Sequence, residues 1–371
     1  MQTGARIRFG PLLLDSLPQL GFGAWAVGGA GWGEPGDEAE RLATVSAAQE
    51  RGITFFDTAP AYGSGASERL LGRALKGVRD RVAIATKVGP RDDPRRSLED
   101  SLRRLESDYV DLVQLHEPLE RWEWQLEGLH DLVERGKARA LGLCNATHQQ
   151  LRRALDLVPL ASYQAAYNLV DRDVEERELP LCRERTVAFL AYRPLASGLL
   201  SGKYDVAPEF APRDHRNGIY WFRGREFSRR QRVIEELRPL ARQHGITLSV
   251  LALRWVLSRP GVGVVLAGAR NRTQLEENLA ARAGSLPHEA VATMDGIVSD
   301  AFRLPRALPP ALTAAQAWGT RERFIVEHLD GTRTAEALAA EWTDRGEQMM
   351  VAAQVKVFAD QLEDRGLAEP A

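Results

Sequence analysis

Through about residue 281, short unbroken apolar runs alternate with longer stretches whose apolar residues recur every three or four positions. The runs read as strands buried on both faces, the longer stretches as helices with one buried side. The runs are LGFGAW (20–25), TFFD (54–57), VAIAT (82–86), VDLVQLH (110–116), ARALGL (138–143), ASYQAAY (161–167), VAFLAY (187–192) and GVVLAG (263–268). A helix is expected from Asp37 to Arg51, with Asp37 as cap and Gly52 as stop. Others are expected from about Ser67 to Lys76, from Ser97 to Glu106, up to Arg135 before Gly136, and from about Thr273 to Ala281. Eight strand–helix units predict an α/β fold closed as a (β/α)8 TIM barrel. An open doubly wound sheet is the rival. It is weakened because Gly21, Gly23, Gly28 and Gly29 do not form a GxGxxG opening a helix.

Two stretches break the alternation. Residues 204–227 form a polar and aromatic insertion after the seventh run, and long insertions in compact domains tend to serve function. From about residue 306 the chain lies past the eighth unit, so 1–305 is expected to be the barrel and 306–371 a separate extension. Within it, 318–342 reads as helix, Asp330-Gly331 turn, helix, with a third helix from about Val351 to Arg365. Phe324, Ile325, Leu329, Leu338, Trp342, Val355, Phe358 and Leu362 recur at helical spacing. The extension holds 7 basic and 11 acidic residues. A small winged-helix-like module, a docking or self-association element, and a lid are the readings it leaves open.

Composition narrows the function classes. The chain of 371 residues is 44% hydrophobic and 27% charged, which supports a packed core and argues against general disorder. A net charge of -2 makes a nucleic-acid partner unexpected. Two cysteines, Cys144 and Cys182, cannot build a disulfide scaffold or a cysteine-rich zinc module. The seven histidines include no HxxxH or HExxH pair, so no metal is expected. No apolar run approaches the roughly 18 residues of a membrane span, and MQTGARIRFG lacks a signal-peptide pattern, so a cytoplasmic location is expected.

In a barrel of this kind the C-terminal strand ends face the active site. Asp57 ends the second run, Tyr62 follows it in DTAPAYG, Lys87 ends the third, and His116 ends the fourth. A tyrosine can protonate a carbonyl oxygen, and a neighbouring ammonium would lower its pKa by pairing the phenolate. A carboxylate would keep that lysine charged, and a histidine can hydrogen-bond the same carbonyl. Each residue alone has a structural reading as cap, packing or core. Four ionisable groups at successive strand ends do not follow from those readings.

The segments GITFFDTAPAYGSGASERLLGRAL (52–75), IATKVG (84–89), DLVQLHEP (111–118), LGLCNAT (141–147), YQAAYNL (163–169), YRPLASGLLSGK (192–203) and GARNRTQLEEN (268–278) resemble the aldo-keto reductase superfamily. The resemblance spans roughly residues 6–302 and looks most like its bacterial general-stress and inositol-operon branch. It implies NADP(H)-dependent reduction of an aldehyde or ketone (EC 1.1.1.-), with Asp57, Tyr62, Lys87 and His116 as catalytic tetrad. It implies Gln164 and Asn145 at the nicotinamide carboxamide and Tyr192 stacked on its ring. Pro194, Leu195, Ser197 and Gly198 would meet the pyrophosphate, and Gly268 with the following helix start would favour an anion. Arg270 would pair with a 2′-phosphate, and Gln274 and Asn278 would lie on the adenine side. Trp25, Trp32 and the Tyr220-Trp221-Phe222 cluster would wall the substrate pocket. Sugars or small polar aldehydes are the expected substrates.

Three positions depart from the pattern. Cys144 stands where serine is frequent, Arg193 where serine is common, and Glu117 where tryptophan is frequent. The alternative function is a regulatory or scaffold subunit that binds cofactor without turnover, or a reductase recruited to a protein or peptide partner through 306–371.

Overall fold

The computed structural model describes residues 7–9, 12–14, 19–34, 36–302, 306–307, 324–326, 328–329, 334–335, 337–339, 355–356, 358–360, 362 and 368–369. The chain divides into two compact units. One comprises Met1–Phe227 with Arg238–Pro287, the other Ser228–Leu237 with His288–Ala371.

The first unit opens with an antiparallel hairpin of β1 (Ile7–Phe9) and β2 (Leu12–Leu14). Eight parallel strands then close into a barrel in the order β10-β3-β4-β5-β6-β7-β8-β9. They are β3 (Gln19–Gly23), β4 (Phe55–Asp57), β5 (Ala83–Val88), β6 (Leu112–Leu115), β7 (Leu141–Cys144), β8 (Ser162–Ala166), β9 (Ala188–Tyr192) and β10 (Val262–Ala267). The expected TIM barrel is thus the fold, and each apolar run supplies one strand. Continuous apolar runs work here because every strand has the interior on one side and a helix layer on the other. The interior is filled by Phe55, Ala83, Ala85, Leu112, Ala188, Leu190, Val264 and Leu266, small residues alternating with large ones. Burying each of the leucines and Phe55 contributes about 1.5–3 kcal/mol. Gly21 is part of the fit, because a Cβ there would lie 2.8 Å from Val264 Cγ1.

The helices follow the capping signals. Asp37 caps α1 (Glu38–Glu50), its side chain accepting from Ala39 N, and Gly52 beyond it is left-handed at φ 81. α2 (Ala66–Leu75) follows β4. α3 (Pro94–Leu105) begins earlier than the expected Ser97, because Asp93 accepts from Arg96 N and Pro94 suits the first turn. α4 (Trp122–Glu134), α5 (His148–Leu157) and α6 (Glu178–Glu184) complete the crossovers on that side. α7 (Gly224–Gln243), α8 (Leu248–Leu257) and α9 (Arg272–Leu279) come later in the chain, and α10 (His288–Phe302) follows them. Among the described residues no helix is long and apolar enough to cross a membrane.

In the second unit Phe324, Ile325, Val326, Leu329, Leu338, Val355, Ala359 and Leu362 form a buried cluster of their own. β11 (Arg306–Ala307) pairs antiparallel with β12 (Ala368–Glu369). Trp342 and the Asp330-Gly331 turn lie outside the described residues.

Candidate active site

The parallel register carries Asp57 and Lys87 to the C-terminal mouth of the barrel, where β4 and β5 run side by side. There Lys87, fully buried, donates from Nζ to Asp57 Oδ1 at 2.6 Å, to the Thr58 carbonyl at 2.9 Å and to the Tyr62 hydroxyl at 3.2 Å. Tyr62 is delivered by the loop after β4. That loop is clamped against the one after β3: a Cβ on Gly28 would lie 2.9 Å from the Tyr62 carbonyl, and one on Gly63, at φ 62, would collide with the Gly28 carbonyl. His116 follows β6, its ring edge-on to Tyr62 with centroids 6.0 Å apart. The four residues expected at successive strand ends are therefore brought together.

The carboxylate has further partners. Asp57 Oδ2 accepts from Gln164 Nε2 at 2.9 Å and from Gln114 Nε2 at 3.3 Å. Gln114 was not singled out in the sequence, although a lone glutamine inside the apolar run LVQL is a visible anomaly. Gln164, expected at a carboxamide, is held here by donating its amide to Asp57. A buried carboxylate with an ammonium and two amide donors is close to fully satisfied, which a buried ion pair needs in order to persist.

Burial sets the titration of this cluster. It pushes the Tyr62 phenol up to about 12, with Lys87 pulling the other way. The expected lowering of the tyrosine pKa by the ammonium is thus reversed, because desolvation of the phenolate outweighs the charge beside it. Burial opposes the charge on Lys87, but Asp57 and Tyr62 more than offset it and hold the ammonium above the ordinary lysine value. Burial, assisted by Lys87, lowers His116 to about 3, so its ring is neutral at physiological pH. Cys144 is a free buried thiol, and burial raises its pKa.

A cavity of about 370 Å³ opens beside this cluster, with Tyr62 and Asp57 in its wall. Pro194, Leu195, Ser197 and Gly198 line it along one stretch, and Gly268, Arg270, Gln274 and Asn278 along another. Tyr192 also lines it, its hydroxyl donating to Asn145 Oδ1 at 2.9 Å, while Asn145 Nδ2 donates to the His116 carbonyl at 3.1 Å. Ala196, Ser197 and Gly198 are all left-handed (φ 48, 57 and 93), and such winding favours concavities of backbone amides. Ser197 Oγ and Ser249 Oγ are buried at this cavity with no partner. Lys203 lies alongside, its pKa lowered by burial, Arg216 and Arg270. Orphaned hydroxyls, a left-handed backbone run and clustered cations suit the phosphates of a dinucleotide.

Arg270 also has a structural part. Its Nη1 donates to the Trp32 carbonyl at 3.0 Å and its Nη2 to the Glu34 carbonyl at 2.9 Å, so it ties the loop after β10 to the loop after β3. Asn271 caps α9 through Gln274 N, Gln274 Oε1 accepts from Arg270 N, and Asn278 Nδ2 donates to the Gly268 carbonyl.

Trp25 and Trp32 do line the cavity, and Trp25 stacks on Tyr62 with centroids 5.8 Å apart. Trp221 does not. It is buried within the insertion, while its neighbour Phe222 packs edge-on against Tyr204 and Phe210. The insertion reaches the site instead through Arg216, which lines the cavity, and His215, whose ring lies 4.3 Å from Trp25 and 4.2 Å from Trp32. Neither was singled out in the sequence, because a loop without period gives no direction for its side chains.

A tyrosine beside a buried lysine–aspartate pair at the carboxyl mouth of a (β/α)8 barrel, next to a cavity with an anion-suited wall, is the arrangement of a barrel oxidoreductase. The Aldo/keto reductase family model matches residues 19–299, and the chain belongs to that family of carbonyl-reducing oxidoreductases. The aldo-keto reductase YhdN of Bacillus subtilis is 38% identical over 275 residues, 70% of this chain and 83% of the relative. The NADH-specific methylglyoxal reductase of Escherichia coli is 31% identical over 302 residues, 72% of this chain and 90% of the relative. Among solved structures, the glycerol dehydrogenase AKR11B4 of Gluconobacter oxydans superposes with a TM-score of 0.72 at 33% identity, covering 81% of this chain and 96% of its own. An aldo/keto reductase of Klebsiella pneumoniae, solved with NADP and acetate, superposes with a TM-score of 0.62 at 29% identity, covering 79% and 95%.

Proposed function

We propose that the protein is an NADP(H)-dependent reductase of a small aldehyde or ketone, with Tyr62 as general acid. The observation that carries the reading is the Lys87 ammonium held between the Asp57 carboxylate and the Tyr62 hydroxyl. Ser197, Gly198, Lys203 and Arg270 would hold the phosphates, and Tyr192 and Asn145 would face the nicotinamide. A dinucleotide held there would supply the hydride for the carbonyl carbon. As negative charge grows on the carbonyl oxygen, Tyr62 delivers its proton there. With a pKa of about 12 the phenol is fully protonated at neutral pH, yet far more acidic than an alcohol, so transfer to the nascent alkoxide runs downhill. Lys87, fixed 3.2 Å away, stabilises the phenolate left behind. Neutral His116 can hydrogen-bond the carbonyl oxygen without acting as a rival, more acidic proton donor. Trp25, stacked on Tyr62, holds the phenol ring in place.

The Klebsiella relative solved with NADP supports the dinucleotide, and the methylglyoxal reductase and glycerol dehydrogenase relatives support a small polar substrate. The test is NADPH oxidation by the full-length protein with 4-nitrobenzaldehyde and a panel of small carbonyl compounds. Turnover is expected. Tight NADPH binding with no carbonyl reduced would favour the regulatory-subunit reading instead.

A further inference from the structure

We propose that Arg193 determines substrate choice, its guanidinium receiving the carboxylate of an acidic carbonyl compound: an aldehyde or ketone that also carries a carboxylate. The inference rests on the reductase reading above and adds the substrate class.

Arg193 directly follows β9 and lines the cavity. Its backbone is left-handed, φ 53, an unfavourable form for an arginine. It is held there because its carbonyl accepts from Ala196 N at 2.8 Å and from Asn168 Nδ2 at 3.1 Å. The guanidinium then lies over two aromatic faces, 5.8 Å from the Trp25 centroid and 5.5 Å from that of Tyr192. Both rings belong to the reacting end: Trp25 stacks on Tyr62, and Tyr192 bonds to the asparagine that bridges to His116. Arg193 therefore sits at the reacting end of the cavity, near the general acid.

The charge is also unspent. Arg193 Nε is buried and meets no acceptor, and among the described residues no carboxylate pairs with this guanidinium. The other two guanidiniums lining the cavity already donate to protein acceptors, with Arg270 keeping further N–H groups for a phosphate. Arg216 is held by Asp214 at 2.6 Å and donates to Tyr204, and Arg270 is held by the Trp32 and Glu34 carbonyls. The phosphate-suited stretch has its own cation, since Lys203 Nζ lies 3.3 Å from where a Gly198 Cβ would stand. A buried N–H without an acceptor is costly, and a planar guanidinium meets a carboxylate through two parallel hydrogen bonds. A carbonyl substrate carrying that group would give the guanidinium an anionic partner, which a neutral one would not.

The test compares two aldehydes of one shape, 4-carboxybenzaldehyde and 4-formylbenzamide, with NADPH and the full-length protein, before and after Arg193→Gln. The variant is expected to raise KM for the carboxylate about tenfold to a hundredfold. KM for the amide and the affinity for NADPH should stay within about twofold. Arg193→Lys should recover part of the loss. Calorimetric titration of the NADPH-loaded protein with benzoate gives a readout free of turnover, with binding expected for the parent and lost in Arg193→Gln. An equal rise in KM for both aldehydes overturns the proposal. So does weakened NADPH binding with aldehyde KM values unmoved, which would assign Arg193 to the cofactor. If the parent reduces neither aldehyde, the reductase reading fails, and the benzoate titration alone decides whether Arg193 is an anion site.

Discussion

Protonation at the mouth of the barrel follows from the protein packed around each group. Two shifts run opposite to the exposed amino acids: the phenol of Tyr62 stands near 12 and the imidazole of His116 near 3. Both keep the reductive form of the site, a protonated phenol beside a neutral imidazole, across the neutral range. Reduction of a carbonyl is therefore expected to show a flat kcat from about pH 6 to pH 9, with no inflection near the ordinary histidine value of 6.5. A stopped-flow pH series checks this, and an inflection near 6.5 that vanishes in His116→Phe would refute it. The same shift bears on stability. A histidine depressed in the folded state leaves stability intact above pH 6.5, and stability is lost as pH falls from there toward 3, because only the unfolded chain takes up that proton. Asp57, Lys87 and His116 were legible in the sequence because each ends a strand, where direction is set by topology. Asp111 shows the converse: one residue before β6, at the opposite mouth, it is a structural carboxylate paired with Arg79 and Arg139. The direction of the tyrosine shift was not legible, because it depends on the balance between a charge and the loss of solvent, and the second is invisible until the fold closes.

At the level of elements, apolar runs and capping residues place strands and helices to within a few residues. The fit between elements is less visible, since it depends on which small residue meets which backbone. Gly72 on α2 is such a place, because a Cβ there would lie 2.6 Å from the Leu105 carbonyl at the end of α3. Gly72→Ala should destabilise the fold by about 1–3 kcal/mol through overpacking, read by urea unfolding. An unchanged midpoint would show that α2 and α3 do not pack as described. The insertion was recognisable as an insertion, yet its working residues were not. His215 and Arg216 reach the site because Asp214 organises the turn, accepting from Arg216 N at 3.0 Å.

On the scale of the molecule, the family match ends at residue 299, and the Gluconobacter relative is covered over 96% of its length by 81% of this chain. The family match therefore leaves the C-terminal stretch outside it. A chain ending at residue 305 is expected to keep carbonyl reduction while unfolding at a lower temperature. The loss of stability is expected because the cut removes partners of retained residues in the second unit, such as Asp360, which pairs with Arg229 at 3.5 Å. Thermal unfolding and aldehyde turnover on the same preparation check this. A shortened chain that melts unchanged, or that stays folded and binds NADPH without turnover, would contradict it.

The most direct measurement concerns the hydroxyl of Tyr62. Tyr62→Phe removes one oxygen and leaves the ring stacked on Trp25. NADPH affinity should stay within about twofold while kcat for carbonyl reduction falls by about a hundredfold to ten-thousandfold. A variant that binds NADPH normally and still turns over at more than about a tenth of the parent rate would show that the proton comes from elsewhere.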